Sequence, residues 1–98
     1  MIVNSKSISL TTFISRDFEL EDNMSNEKLR SAMIHAFGWL LDNDIAKMMN
    51  ILYRADVNEE KLKELLISKA ELPSAEVIAD AYLARQIQKL ATWKKYSR

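Results

Sequence analysis

Ser25-Asn26-Glu27-Lys28-Leu29-Arg30-Ser31-Ala32-Met33-Ile34-His35-Ala36-Phe37-Gly38-Trp39-Leu40-Leu41 decides the fold class. Leu29, Met33, Ala36, Phe37, Leu40 and Leu41 recur at spacings of three and four, which places them on one face of an α-helix. The opposite face carries Ser31, His35, Trp39 and Asp42. Ser25 suits the N-cap, because its hydroxyl can accept from the backbone N–H groups of the first turn. Glu27 follows in that turn, where the helix dipole favours an acid.

Downstream, Asp42-Asn43-Asp44 interrupts the pattern and the apolar stripe rotates to Ile45, Met48, Leu52 and Met49. Either the helix kinks here, or it ends and a new one begins with Asn43 or Asp44 as cap. Because neither Gly nor Pro stands at the junction, the favoured reading is a continuous or kinked helix ending near Arg54. Ala55-Asp56-Val57-Asn58 marks a clear boundary. Asn58 can cap the next helix, Glu59 and Glu60 fill its positive first turn, and Val57 can staple against Leu62. That helix runs to about Ala70 with Leu62, Leu65 and Leu66 on one face. Pro73 disfavours helix at Leu72, and Ser74 can cap a final helix of about 75–95. The final helix is expected to bury Ala79, Leu83, Ile87, Leu90 and Ala91.

Upstream the text changes character. Residues 1–23 contain no Ala and many Ser and Thr. Ile8, Leu10 and Thr12 alternate with Ser7, Ser9 and Thr11, a short strand pattern that Phe13 and Ile14 break. A single strand needs a partner for its backbone. The expected organisation is an extended N-terminal arm over 1–24 and a helical domain over 25–98. Ninety-eight residues and 11.3 kDa suit one small core. One Gly and one Pro leave too few turn formers for a sandwich or barrel. The fold class is therefore all-α: a small bundle of three to four helices with an arm.

Ile51-Leu52-Tyr53-Arg54-Ala55-Asp56-Val57-Asn58-Glu59-Glu60-Lys61-Leu62, with Ala84-Arg85-Gln86-Ile87-Gln88-Lys89 further on, resembles a group of small uncharacterised all-helical bacterial proteins. The resemblance spans roughly residues 36–90 and rests on helix boundaries and amphipathic faces. It implies helices and a bacterial, cytoplasmic origin, and carries no activity or site with it.

The inventory argues against chemistry. With no Cys there is no thiol nucleophile and no cysteine-held metal. Ser31, His35 and Asp42 share a helix face and point the same way, whereas a catalytic triad converges on one point beside an oxyanion hole. A Glu-x-x-His pair of the carboxylate-bridged bundles fails, because Ala32 stands three before His35. Phosphate-binding loops need several glycines, and the one here, Gly38, sits within a helix, where its expected role is close approach by another helix. A helix-turn-helix over the last two helices fits in layout only. Glu76 and Asp80 open the would-be recognition helix and would repel phosphates, and Arg85 and Lys89 come too late to read a groove. The protein is read as no enzyme, with no catalytic, cofactor or metal residue and no cofactor.

Charge and aromatic residues point to partners instead. Net charge is zero, yet Asp17, Glu19, Glu21, Asp22 and Glu27 cluster without a base, and Arg85, Lys89, Lys94, Lys95 and Arg98 cluster without an acid. The acidic end of the arm is expected to lie against the basic end of the last helix, in the same chain or in a partner. Trp39, Tyr53, Trp93 and Tyr96 exceed what the apolar stripes absorb, and interfaces are enriched in such residues. The expectation is a non-enzymatic protein–protein interaction module that self-associates, most simply as a dimer, through a Trp39/Tyr53 face and the arm. The alternative is a nucleic-acid-binding protein using Arg85, Lys89, Trp93, Lys94 and Lys95. Residues 1–15 lack the basic start and unbroken apolar run of a secretory signal, and no run reaches a membrane span, so a cytoplasmic location is expected.

Overall fold

The computed structural model describes residues 10–14, 18 and 24–96, and among them five helices and no strand. They are α1 (Leu10–Ile14), α2 (Asn26–Asn43), α3 (Ile45–Arg54), α4 (Glu59–Ser68) and α5 (Ser74–Tyr96). The all-α bundle is the architecture read from the sequence.

The polar residues that open the helices do so by capping. The Ser25 hydroxyl accepts from the Lys28 N–H at 3.2 Å, and Asn58 Oδ1 accepts from the Lys61 N–H at 3.0 Å. Val57 and Leu62 flank the second cap and share one groove, as a hydrophobic staple requires. Before α5, the Pro73 carbonyl accepts from the Val77 N–H at 3.2 Å, so the helix includes Ser74.

Asp44 breaks the helix that the favoured sequence reading ran on to Arg54, and is the cap that the alternative reading offered. Its backbone leaves the helical region at φ −155° and ψ 72°. Its N–H closes α2 on the Leu40 carbonyl at 2.8 Å, and its carboxylate opens α3 by accepting from the Lys47 N–H at 3.1 Å. One aspartate therefore ends one helix and caps the next, which removes any need for Gly or Pro at the break. The rotated stripe at Ile45–Leu52 is the consequence of a new helix axis.

The short-strand reading of Leu10–Thr12 is also corrected. Leu10–Ile14 is helical, and Ile14 is buried. Leu10, Phe13 and Ile14 stand at i, i+3 and i+4, so the residues that broke the alternation supply a helical face against the core. The remainder of the proposed strand lies outside the described residues.

α2 and α5 form the central antiparallel pair. Arg30 near the start of α2 meets Glu76 and Asp80, and Gly38 further along lies beside Ala75. The core between the helices holds Leu29, Met33, Phe37 and Leu40 of α2, with Ile78, Ala79, Tyr82 and Leu83 of α5. α3 adds Met48, Ile51 and Leu52, and α4 adds Leu62. Phe18, Phe37 and Tyr82 meet edge to face, with ring centroids 5.3–5.6 Å apart, in the arrangement the ring quadrupoles favour. Ile87 and Ala91, expected inside, are exposed, and Tyr82 and Gln86 take the buried face of α5.

Gly38 lies at contact distance from α5 without requiring the absence of a side chain. A Cβ built there would stand 3.6 Å from that of Ala75, an ordinary van der Waals separation. Gly38→Ala is therefore expected to stabilise the fold by about 0.5–1 kcal/mol, through the helix propensity gained. A higher denaturant midpoint at unchanged slope is the measurement.

The α3–α4 turn is a Schellman motif. The Val57 N–H reaches the Leu52 carbonyl at 3.1 Å and the Asp56 N–H reaches the Tyr53 carbonyl at 3.1 Å. Asp56 fills the left-handed position at φ 60°, which Asp tolerates better than most residues. Three side chains of α5 bind this turn. Gln86 donates to the Ala55 carbonyl at 3.3 Å, Arg85 donates to the Asp56 carbonyl at 3.1 Å, and Lys89 lies 3.6 Å from the Asp56 carboxylate.

Candidate interaction surface

Among the described residues, α3 is covered by the core on one side. Met48, Ile51 and Leu52 face the core, while Ile45, Met49 and Tyr53 follow one another at four-residue intervals and are exposed. Tyr53 is the most open of the large apolar residues among those described, at 81%. Beside this stripe, Met49, Leu52, Tyr53, Val57 and Leu62 line a groove of about 430 Å³ between α3 and the start of α4. Its charged residues are Asp56 and Glu59, with no base among them. The groove exists because Asp44 and the Schellman turn set α3 apart as a short separate helix. The sequence reading set Ile45 and Met49 on one apolar stripe with Met48 and Leu52; the structure buries Met48 and Leu52 and leaves Ile45 and Met49 exposed.

Trp39 and Tyr53 do not form one face. Trp39 lies on α2, 56% exposed, in a separate groove with Phe18, His35, Lys47 and Ile51. Lys47 and Tyr53 are six residues apart on α3, about 120° around the helix. The two aromatics therefore flank α3 on different sides.

The basic residues of α5 divide in two. Arg85 and Lys89 are engaged with the α3–α4 turn within the chain. Lys94 and Lys95 lie in the last turn, between Trp93 and Tyr96, with the Lys95 ammonium 5.6 Å from the Tyr96 ring centroid. Trp93 stands seven residues after buried Gln86 and so on the same helix face, one that turns to the α3–α4 junction. Asn26 and Ile87 share a groove, so the last turns of α5 run past the start of α2. Trp93 is 39% exposed there and Tyr96 73%. Asp17, Glu19, Glu21 and Asp22, expected against this end, lie outside the described residues.

Ser31, His35 and Asp42 are all exposed along α2, spread over three turns rather than gathered at one point. Among the described residues no three His, Asp or Glu side chains form a group fit for a metal ion, and no helix is long and apolar enough to cross a membrane.

One cluster was not anticipated. The Arg30 guanidinium grips Asp80 with two nitrogens, at 2.8 and 3.0 Å, and Glu76 at 2.6 Å. Hydrogen bonds from Asp80 and then Glu76 raise the pKa of Arg30 above its already high ordinary value. The two acids that argued against DNA binding thus clamp α2 to α5. The signal in the sequence was only their i, i+4 spacing, since nothing linear pairs them with a base 46 residues away.

Comparison with protein-family models, with curated proteins and with solved structures found no match.

Proposed function

We propose that this protein is a non-enzymatic interaction module of the bacterial cytoplasm that associates with itself. The observation that carries the reading is the α3 stripe of Ile45, Met49 and Tyr53, exposed beside an apolar groove on a chain of 11.3 kDa. Large apolar residues gathered in one exposed patch favour a partner surface over a solvated one. The nucleic-acid alternative relies on Trp93, Lys94 and Lys95 alone, since Arg85 and Lys89 already have partners within the chain.

Sedimentation of the intact chain over a range of concentrations, beside a titration with mixed-sequence oligonucleotides at ~150 mM salt, tests the reading. The expected result is a sedimentation coefficient that rises with concentration and no oligonucleotide complex. A constant coefficient up to high micromolar concentration overturns self-association. A salt-sensitive oligonucleotide complex puts the nucleic-acid function in its place.

A further inference from the structure

We infer that two copies of the chain dock reciprocally: the end of α5 in each copy, carrying Trp93, Lys94, Lys95 and Tyr96, enters the α3–α4 groove of the other. The inference rests on the self-association reading and specifies its interface.

Chemical complementarity selects the occupant. The groove is apolar through Met49, Tyr53, Val57 and Leu62 and acidic through Glu59, while the other acid in its lining, Asp56, meets Lys89 of the same chain at 3.6 Å. The end of α5 is aromatic and basic, with no acid after Asp80 in the whole helix. An aromatic anchor entering an apolar pocket, with cations at the rim facing carboxylates, is the combination that gives both affinity and register. The same chain carries both halves, so a second copy supplies the match without a further partner.

The placement of the two halves suits a twofold axis. Lys89 touches Asp56, which also lines the groove, and Trp93 lies one turn of α5 beyond Lys89. Groove and helix end are therefore neighbours at one end of the bundle, on either side of the Asp56–Lys89 contact. An axis passing near that contact carries each groove onto the partner's helix end and closes the assembly at two copies. Within a single chain α5 cannot fold back to fill the groove, because Gln86 and Arg85 fix it against the α3–α4 turn and the helix continues without a break to Tyr96.

A charge exchange tests the arrangement. One variant carries Lys94→Glu and Lys95→Glu, and the other carries Glu59→Lys, which leaves the Asp56–Lys89 contact within the chain in place. Alone, the first sets acid against acid at both contacts of a twofold dimer, and the second sets base against base. Each is expected to dissociate at least about tenfold more readily than the unaltered chain while keeping its helical circular dichroism. Mixed one to one, they place acid against base at both contacts, and a heterodimer is expected. Variants that dimerise as tightly as the unaltered chain, or a mixture that gains no affinity, overturn the reciprocal interface while leaving self-association standing. If the unaltered chain is itself monomeric, the self-association reading fails first, and the interface with it. If a variant loses its helical signal, Trp93→Ala replaces it, with the same weakening expected and an unchanged dimer counting against the interface.

Discussion

Phe37→Ala is expected to cost about 3–5 kcal/mol of folding stability. Phe37 is fully buried at the centre of the α2–α5 pair, and its ring contacts both Phe18 and Tyr82 edge to face. Truncation removes the transfer free energy of the ring, leaves a cavity between two helices, and ends both aromatic contacts. Domains of this size hold only about 5–15 kcal/mol in total. Thermal unfolding is the measurement, and the melting temperature should fall by more than about 12 °C. Phe37→Leu, which keeps most of the volume, should cost clearly less. Equal losses for both would mean that the ring contacts, rather than the filled space, hold the pair together.

Gln86 carries the second large effect. It is buried on the core face of α5, and its amide donates to the Ala55 carbonyl at the end of α3. Gln86→Leu keeps the bulk and removes the donor, leaving a carbonyl in an apolar setting, at an expected cost of about 1–3 kcal/mol. Gln86→Glu should cost more, because it presents a carboxylate to that carbonyl and buries a charge. Denaturant midpoints of both variants are the check. Arg85→Ala, whose hydrogen bond to Asp56 lies at the surface, serves as the mild comparison. A loss for Gln86→Leu no larger than that for Arg85→Ala would mean that the buried contact does not secure the turn.

The helical bundle was legible because its signals are local. Ser25 and Asn58 announce their helices by side-chain chemistry that acts three residues away, and the three-and-four spacing of Leu29, Met33, Phe37 and Leu40 reports one buried face. The misreadings arose where one residue served two purposes or where partners were distant. Asp44 ends α2 with its N–H and starts α3 with its carboxylate, so the break leaves no Gly or Pro behind. Period two at Ile8–Thr12 competed with the i, i+3, i+4 set of Leu10, Phe13 and Ile14, and burial against α5 decided for the helix at Leu10–Ile14. Gln86 looks like a surface residue in isolation, and only the carbonyl of Ala55, 31 residues earlier, makes it a core residue.

The candidate surface was legible in its members more than in its shape. Tyr53, Trp93, Lys94 and Lys95 stood out by composition; Tyr53 lines the α3–α4 groove, and the other three follow in the last turns of α5, beyond the contact of Lys89 with Asp56. Trp39 stood out equally and lies on the other flank of α3. Arg85 and Lys89 read as open cations, yet they hold the Asp56 turn. Sequence identifies which side chains exceed the needs of a core. Which of them share a surface depends on helix axes that caps such as Asp44 set.

Trp93 emission in a Trp39→Phe chain tests the central claim most directly, because Trp93 is then the sole tryptophan and sits at the inferred contact. At high micromolar concentration the account predicts blue-shifted emission shielded from a soluble quencher. On dilution the emission should move to the red and quenching should rise, as the mass falls to 11.3 kDa. Emission and quenching that stay constant across the whole range would contradict it, since no second copy would then be covering Trp93.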